Sequence, residues 1–306
     1  MRERTGFPNE PAAFLRQLAE ALRERARQWR PRAEPPVVSE PVEAAPPRWR
    51  NVWAQPAAES TASVPSPEAA TDTGWQEHLP ARKQILRTLG LALLVILALP
   101  YALIPVYRVI DPPFSSLMTR QFLTGVNVRQ EWVDFEDISP ALPRAVVISE
   151  DAAFCRHWGV DWNAVSDALE DAEDGNGVRG ASTIPMQTAK NLFLWNGHSY
   201  IRKIMEVPLA YTMSVFWPKR RMLEIYLNIA EWGPGIFGAE AAARYHFGKS
   251  AAQLTPREAS LLAAALPNPL KRNAGRPNAL TARIAAHIGA RAGRESQDAA
   301  CVFPRG

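Results

Sequence analysis

The chain has 306 residues, 47% of them hydrophobic, and a formal net charge of +4, which suits one sizeable globular domain with appendages and excludes disorder throughout. The mild basic excess is compatible with anionic lipids or phosphorylated substrates but selects neither. Two cysteines, Cys155 and Cys301, lack the CxxC or His-rich spacing of a zinc site; they either pair across a long loop in an oxidising compartment or stay as free thiols, and spacing does not choose.

In chain order, Phe14, Leu15, Leu18, Leu22 and Trp29 recur at helical spacing with Arg16, Arg23, Arg27 and Arg30 between them. This predicts a short helix, either bound to a membrane surface or partner or simply solvated. Residues 31–80 are crowded with Pro, Ala, Glu and Ser and read as a disordered linker, so residues 1–80 form an N-terminal extension. No charged residue occurs from Leu89 to Tyr107, and nineteen residues at about 1.5 Å each span roughly 28 Å, close to a bilayer's hydrocarbon thickness. Residues 81–110 are therefore expected to hold a single transmembrane helix, with Pro100 and Pro105 predicting a kink or an early end. A cleaved signal peptide would begin near the terminus, whereas some eighty residues precede this segment. Arg82, Lys83 and Arg87 place the N-terminal side in the cytoplasm and the rest of the chain outside.

Beyond Asp111 the signals are helical. Thr255-Pro256-Arg257-Glu258 is a capping box with proline at the first helical position, and its helix must stop at Pro267-Asn268-Pro269. Pro218 opens another, in which Met222, Ile225, Tyr226 and Ile229 form one apolar stripe. Further helices are expected at 143–154, 162–173, 187–195 and 238–246. Strand-length runs of valine and isoleucine are nearly absent, which predicts a mainly α domain.

Several clusters carry polar groups. Glu150 and Asp151 close an apolar helix at the negative pole of its dipole, which raises the cost of their charge and suits an acid or base poised for proton transfer, although a solvated helix end would look the same. Gln187, Lys190 and Asn191 follow a turn of small and hydroxylated residues and share one helical face that offers donors to a phosphorylated or sugar ligand. Arg202 and Lys203 precede Glu206 by four and three residues, a spacing that also describes ordinary surface ion pairs.

Together these segments resemble the glycosyltransferase domain of penicillin-binding proteins and, more closely, the monofunctional biosynthetic peptidoglycan transglycosylases. The family's ED-x-x-F-x-x-H-x-G segment is met by Glu150, Asp151, Phe154, His157 and Gly159, its GGST-x-x-QQ-x-x-KN segment by Gly180 to Asn191, and its RK-x-x-E segment by Arg202, Lys203 and Glu206. Two more segments, RMLEIYLNIAEWGPGIFGAEAAARYHFGK and LTPREASLLAAALPNP, complete five in order over about 125 residues. Ala181, Pro185 and Met186 depart from the pattern, so Gln187 must serve where the family has two glutamines, and Pro208 biases Val207 away from helical geometry beside Glu206.

The resemblance implies a lysozyme-like, mainly α domain of two lobes: a membrane-proximal jaw over 111–140, a catalytic core over 141–275 and a C-terminal tail over 276–306, with no transpeptidase domain. It implies polymerisation of lipid II onto a growing glycan strand, with inversion and release of undecaprenyl pyrophosphate, at the outer face of a bacterial inner membrane. Glu150 would be the base, and Lys190, Arg202 and Lys203 would bind the pyrophosphate. Glu206 would position that cluster or a divalent ion, Thr183, Gln187 and Asn191 would orient donor sugar or phosphate, and Asp151, Phe154 and His157 would brace the base. No organic cofactor and no nucleic acid are expected; Mg²⁺ or Mn²⁺ near Glu206 or the pyrophosphate is compatible. Partners would be membrane lipids and penicillin-binding or divisome proteins, and Pro112 to Leu123 would form an apolar surface partly embedded in the membrane. The alternatives are a lytic transglycosylase or lysozyme-like hydrolase, which has no need of the basic set, and a non-catalytic membrane scaffold.

Overall fold

Helix α1, Arg82–Tyr107, carries both expected prolines, Pro100 and Pro105, without a break. Its stretch Gln84–Tyr107 is long and apolar enough to cross a membrane, with a mean hydropathy of 2.5. The computed structural model describes residues 82–173, 180–197, 199–294 and 296–303. The amphipathic helix and linker expected before residue 81 lie outside the described residues.

The end of α1 is fastened to the rest of the chain through its last carbonyls, which have no partner within the helix. Trp217 Nε1 donates to Ile104 O at 2.6 Å, Arg221 Nε donates to Tyr107 O at 3.0 Å, and the same guanidinium reaches Ile110 O and Asp111 just beyond. The span is thus continuous with the folded domain rather than loosely tethered to it.

Helix α2, Ser116–Leu123, starts where the Ser115 hydroxyl accepts Met118 N–H, and it buries Leu117 and Met118 while leaving Phe122 and Leu123 exposed. Helix α3, Ala141–Glu150, buries Leu142, Ala145, Val146, Val147 and Ile148 and ends at Glu150, earlier than the expected residue 154, because Asp151 leaves helical geometry. Helix α4 runs Trp162–Glu173 as expected. Helix α5, Ile184–Phe193, begins three residues before the expected 187, since the Thr183 hydroxyl caps it. Helix α6, Tyr200–Phe216, passes through Pro208 unbroken, so the conflict expected beside Glu206 does not arise.

Helix α7, Lys219–Ile229, is the centre of the core, with Met222, Leu223, Ile225, Tyr226, Leu227 and Ile229 all buried. Against it pack α5, α6 and α8 (Ala239–Phe247), while α3, α9 (Pro256–Ala265, with the predicted Thr255–Glu258 capping box) and α10 (Ala279–Arg294) pack on one another in the same core. The segment expected as a C-terminal tail therefore contributes to the core, because Ala285 and Ile288 of α10 are buried against α9 and α3.

A small sheet was not legible in the pattern. Strands β1 (Arg129–Gln130), β2 (Glu231–Gly233) and β3 (Ile236–Phe237) lie in the order β1-β3-β2, with β1 parallel and β2 antiparallel to β3. Such short strands give too few alternations to read. Buried Asn228 supports the neighbouring segment by pairing with both the N–H and the carbonyl of Val133. Cys155 and Cys301 form a disulfide, which settles the pairing left open above.

Candidate active site

Glu150 sits half-buried at the C-terminal end of α3, and Gln187 of α5 donates from Nε2 to its Oε2 at 3.0 Å. Burial pushes the Glu150 carboxyl above its ordinary value; the Gln187 and Ser149 hydrogen bonds and the charge of Lys190 oppose that rise, while Asp151 adds to it. Tyr226 of α7, fully buried, donates its hydroxyl to Gln187 Oε1 at 3.0 Å. A buried phenol needs an acceptor, and this one leaves the amide nitrogen of Gln187 aimed at Glu150. Tyr226 is thus a candidate site residue that periodicity alone presents as part of an apolar stripe.

Asp151 is committed to structural contacts and is not left open as a second acid. Its carboxylate accepts Ile184 N–H at 2.9 Å, at the start of α5, and meets His157 Nε2 at 2.9 and 3.0 Å. His157 is held by that carboxylate, and its carbonyl accepts Lys219 Nζ at 2.7 Å. Phe154 is buried with its ring edge toward His157 and the Lys219 ammonium 4.5 Å from its centroid. Gly159, at φ +95°, ends this loop where an added Cβ would lie 2.7 Å from Ala210 O of α6, so only glycine permits the approach.

The basic cluster spans α5 and α6. Both oxygens of Glu206, 2% exposed, are taken: one by the Arg202 guanidinium and the other by Lys203 Nζ at 2.9 Å. Arg202 also donates to Gly197 O, and Lys203 donates to the Ser182 hydroxyl at 2.6 Å, a contact that the sequence reading did not single out. Lys190 has no hydrogen bond to a described residue; burial and the charge of Arg202 lower its pKa against the opposing pull of Glu150 and Glu231. Burial, Arg202 and Lys190 bring the Lys203 pKa down to about 8. Three cations crowded at one place, all of them with depressed affinity for a proton, describe a cluster that a polyanion would relieve.

Not every expected ligand residue is left free to bind a ligand. The Thr183 hydroxyl is committed on both sides, accepting Met186 N–H and donating to Gly159 O, so it caps α5 and joins it to the Glu150 loop. Asn191 is buried; its backbone carbonyl accepts the Ser116 hydroxyl from α2, while its side-chain oxygen has no partner among the described residues. Glu231 adds a carboxylate on the other side of Lys190 and accepts Gln121 Nε2 at 2.9 Å, bridging α2 to β2.

A divalent ion at Glu206 does not fit these residues. Its oxygens face two cations, and no group of three His, Cys, Asp or Glu able to hold a metal occurs among the described residues.

Comparison with known proteins gives a consistent picture. A family model described as Transglycosylase matches residues 117–290. The biosynthetic peptidoglycan transglycosylase of Rhizobium meliloti (strain 1021) is 52% identical over 218 residues, covering 71% of this chain and 92% of that protein. Its counterpart in Nitrobacter hamburgensis is 56% identical over 196 residues, covering 64% and 86%. That of Agrobacterium fabrum is 51% identical over 214 residues, covering 70% and 95%.

Proposed function

The chain belongs to the family of biosynthetic peptidoglycan transglycosylases, and from that premise we propose how its own residues divide the work. It is a peptidoglycan glycosyltransferase with a lysozyme-like, mainly α domain, and it takes lipid II and the growing glycan strand as substrates.

Glu150 accepts the proton of the acceptor's 4-hydroxyl as that oxygen attacks the anomeric carbon of the donor from the face opposite the pyrophosphate. A sugar hydroxyl is a poor nucleophile until its proton has a base in reach, and a carboxylate made more basic by burial is better matched to the task than a solvated one. The C–O bond to undecaprenyl pyrophosphate breaks as the new glycosidic bond forms, with inversion. Charge then collects on the departing phosphate oxygens. Lys190, Arg202 and Lys203 meet it through charge-assisted hydrogen bonds, and Glu206 keeps the last two in place. The observation that carries this reading is the pairing of one half-buried, hydrogen-bonded carboxylate with a three-cation pocket built on α5 and α6. A hydrolase of a neutral glycosidic bond would have no use for the second half.

The apolar span α1 supports a membrane anchor. We place the catalytic domain on the outer face of the inner membrane, on two grounds: Arg82, Lys83 and Arg87 lie at the N-terminal end of the span, and the Cys155–Cys301 disulfide suits an oxidising compartment. Phe114, Phe122 and Leu123, about three-quarters exposed in the segment that follows α1, would rest in the lipid surface and keep the site within reach of polyprenyl tails.

The test is polymerisation of purified lipid II by the detergent-solubilised protein, wild type beside Glu150→Gln, with glycan products resolved by length. Strands from wild type and none from the variant are expected. Shortening of preformed glycan by the wild type, with no polymer made, would replace this reading with the hydrolase.

A further inference from the structure

The nine residues from Asp151 to Gly159 connect the base to the brace that holds it, and they are gripped from two sides. On the inner side are Asp151 with His157 and Ile184 N–H, and Lys219 with His157 O. On the outer side is the short 3₁₀ segment Ser296–Val302. There Asp298 pairs with Arg156 at 3.3 Å, and Cys301 is bonded to Cys155 and donates its N–H to Cys155 Sγ at 3.3 Å.

The same segment also touches the helix that ends in Glu150. Ala299 and Val302 are buried, and Phe303 lies against Phe135 with the Arg144 guanidinium of α3 4.6 Å from its ring centroid. Its apolar anchors are Ala299, Val302 and Phe303, and its ion pair, exposed on the Arg156 side, contributes little. The covalent link between residues 146 positions apart is the strong element of this grip.

We propose that Cys155 and Cys301 are positioning residues for catalysis: their disulfide straps the C-terminal segment across the loop after Glu150 and fixes the geometry of the base. Reduction breaks the S–S bond and releases two thiols: an added dithiol gives up two electrons and two protons and becomes a disulfide, or an added phosphine gives up two electrons and becomes its oxide while water supplies the oxygen and the two protons. The loop then keeps on its outer side only the exposed Arg156–Asp298 pair. This rests on Glu150 being the base. The cation pocket lies on α5 and α6, away from the strap, so substrate capture is expected to survive while the chemical step slows.

The experiment uses the full-length protein in detergent. Peptide mapping under non-reducing conditions first establishes the pairing. Polymerisation of lipid II is then compared for the oxidised protein, the same protein reduced with a phosphine, and the C155S, C301S and double variants. Amide exchange of residues 152–158 is followed in each. A fall in kcat of about tenfold or more is expected. KM should be unchanged, the single and double variants should be equal, and reoxidation of the reduced wild type should recover kcat. Exchange over 152–158 should quicken while that around Glu206 holds.

Wild-type kcat in the reduced protein or in the folded double variant overturns the proposal, even if the melting temperature falls, because the bond would then only staple the C-terminal segment. Should the oxidised wild type make no polymer, the reading of Glu150 fails instead. The exchange comparison still decides the strap, since unchanged protection of 152–158 refutes it.

Discussion

The Tyr226 hydroxyl and the Gln187 side-chain oxygen, 3.0 Å apart and 39 residues apart in sequence, decide which end of the Gln187 amide faces Glu150. With the oxygen held by the phenol, the nitrogen donates to the carboxylate and favours its charged, proton-accepting form.

Tyr226→Phe removes that choice. A flipped amide would present oxygen to Glu150 and favour the protonated acid. The Glu150 pKa, already raised by burial, should rise further, and the acid limb of the kcat/KM profile should move to higher pH. Loss of one hydrogen bond worth about 1 kcal/mol corresponds to about a fivefold fall in rate at neutral pH. An acid limb that does not move would refute the orienting role.

Lys203 titrates near 8 in the free protein, so its charge fades as pH rises through that value and pyrophosphate binding should weaken with it. Lys203→Arg keeps a cation at this place at all working pH. The alkaline limb of kcat/KM should move upward by about one unit or more, until another group sets it. Lys219 also titrates near 8, beside Asp151 and His157. A limb that stays near 8 in the arginine variant would assign it to Lys219.

Glu206→Gln leaves Arg202 and Lys203 facing each other with no carboxylate between them. Breaking a buried pair typically costs about 3–5 kcal/mol, and the partial exposure of Lys203 places this case at the lower end, about 3 kcal/mol. Thermal unfolding in detergent should show the loss, and polymerisation should fall to near background. A variant with wild-type melting temperature and activity would remove Glu206 from the machinery.

Gly159→Ala tests the loop from its other end. The alanine Cβ would meet the Ala210 backbone at a φ that L residues rarely adopt, so a cost of at least about 2 kcal/mol is expected. α6 would be pushed from the Glu150 loop, and Glu206 lies one turn from Ala210 on that helix. The variant should therefore lose activity at temperatures where circular dichroism still reports a folded protein.

Much of this molecule was legible because its signals are local. The capping box of α9, the uncharged run of α1 and the start of α7 after Pro218 depend on residues within a few positions of each other, and each element appears where those residues place it. The chemistry-bearing residues were legible as a set through their order and spacing. Their partners were not. Lys203 finds Ser182, Gln121 finds Glu231, and Pro208 rides inside an unbroken helix whose packing outweighs a local preference.

The amino-acid sequence by itself determined the helical class, the membrane-length span and the acid, amide and cations to which we assign the reaction, since residue type and periodicity are properties of the chain. Only the tertiary structure decided which of those groups are free to act. Thr183 is consumed as a cap, Asp151 as a brace and Glu206 as a counter-charge, while Glu150 meets only neutral hydrogen-bond donors and Lys190 has no hydrogen bond to a described residue. It also decided that Cys155 and Cys301 meet, because a contact between residues so far apart follows from how α3, α7 and α10 pack, and no local pattern encodes that distance.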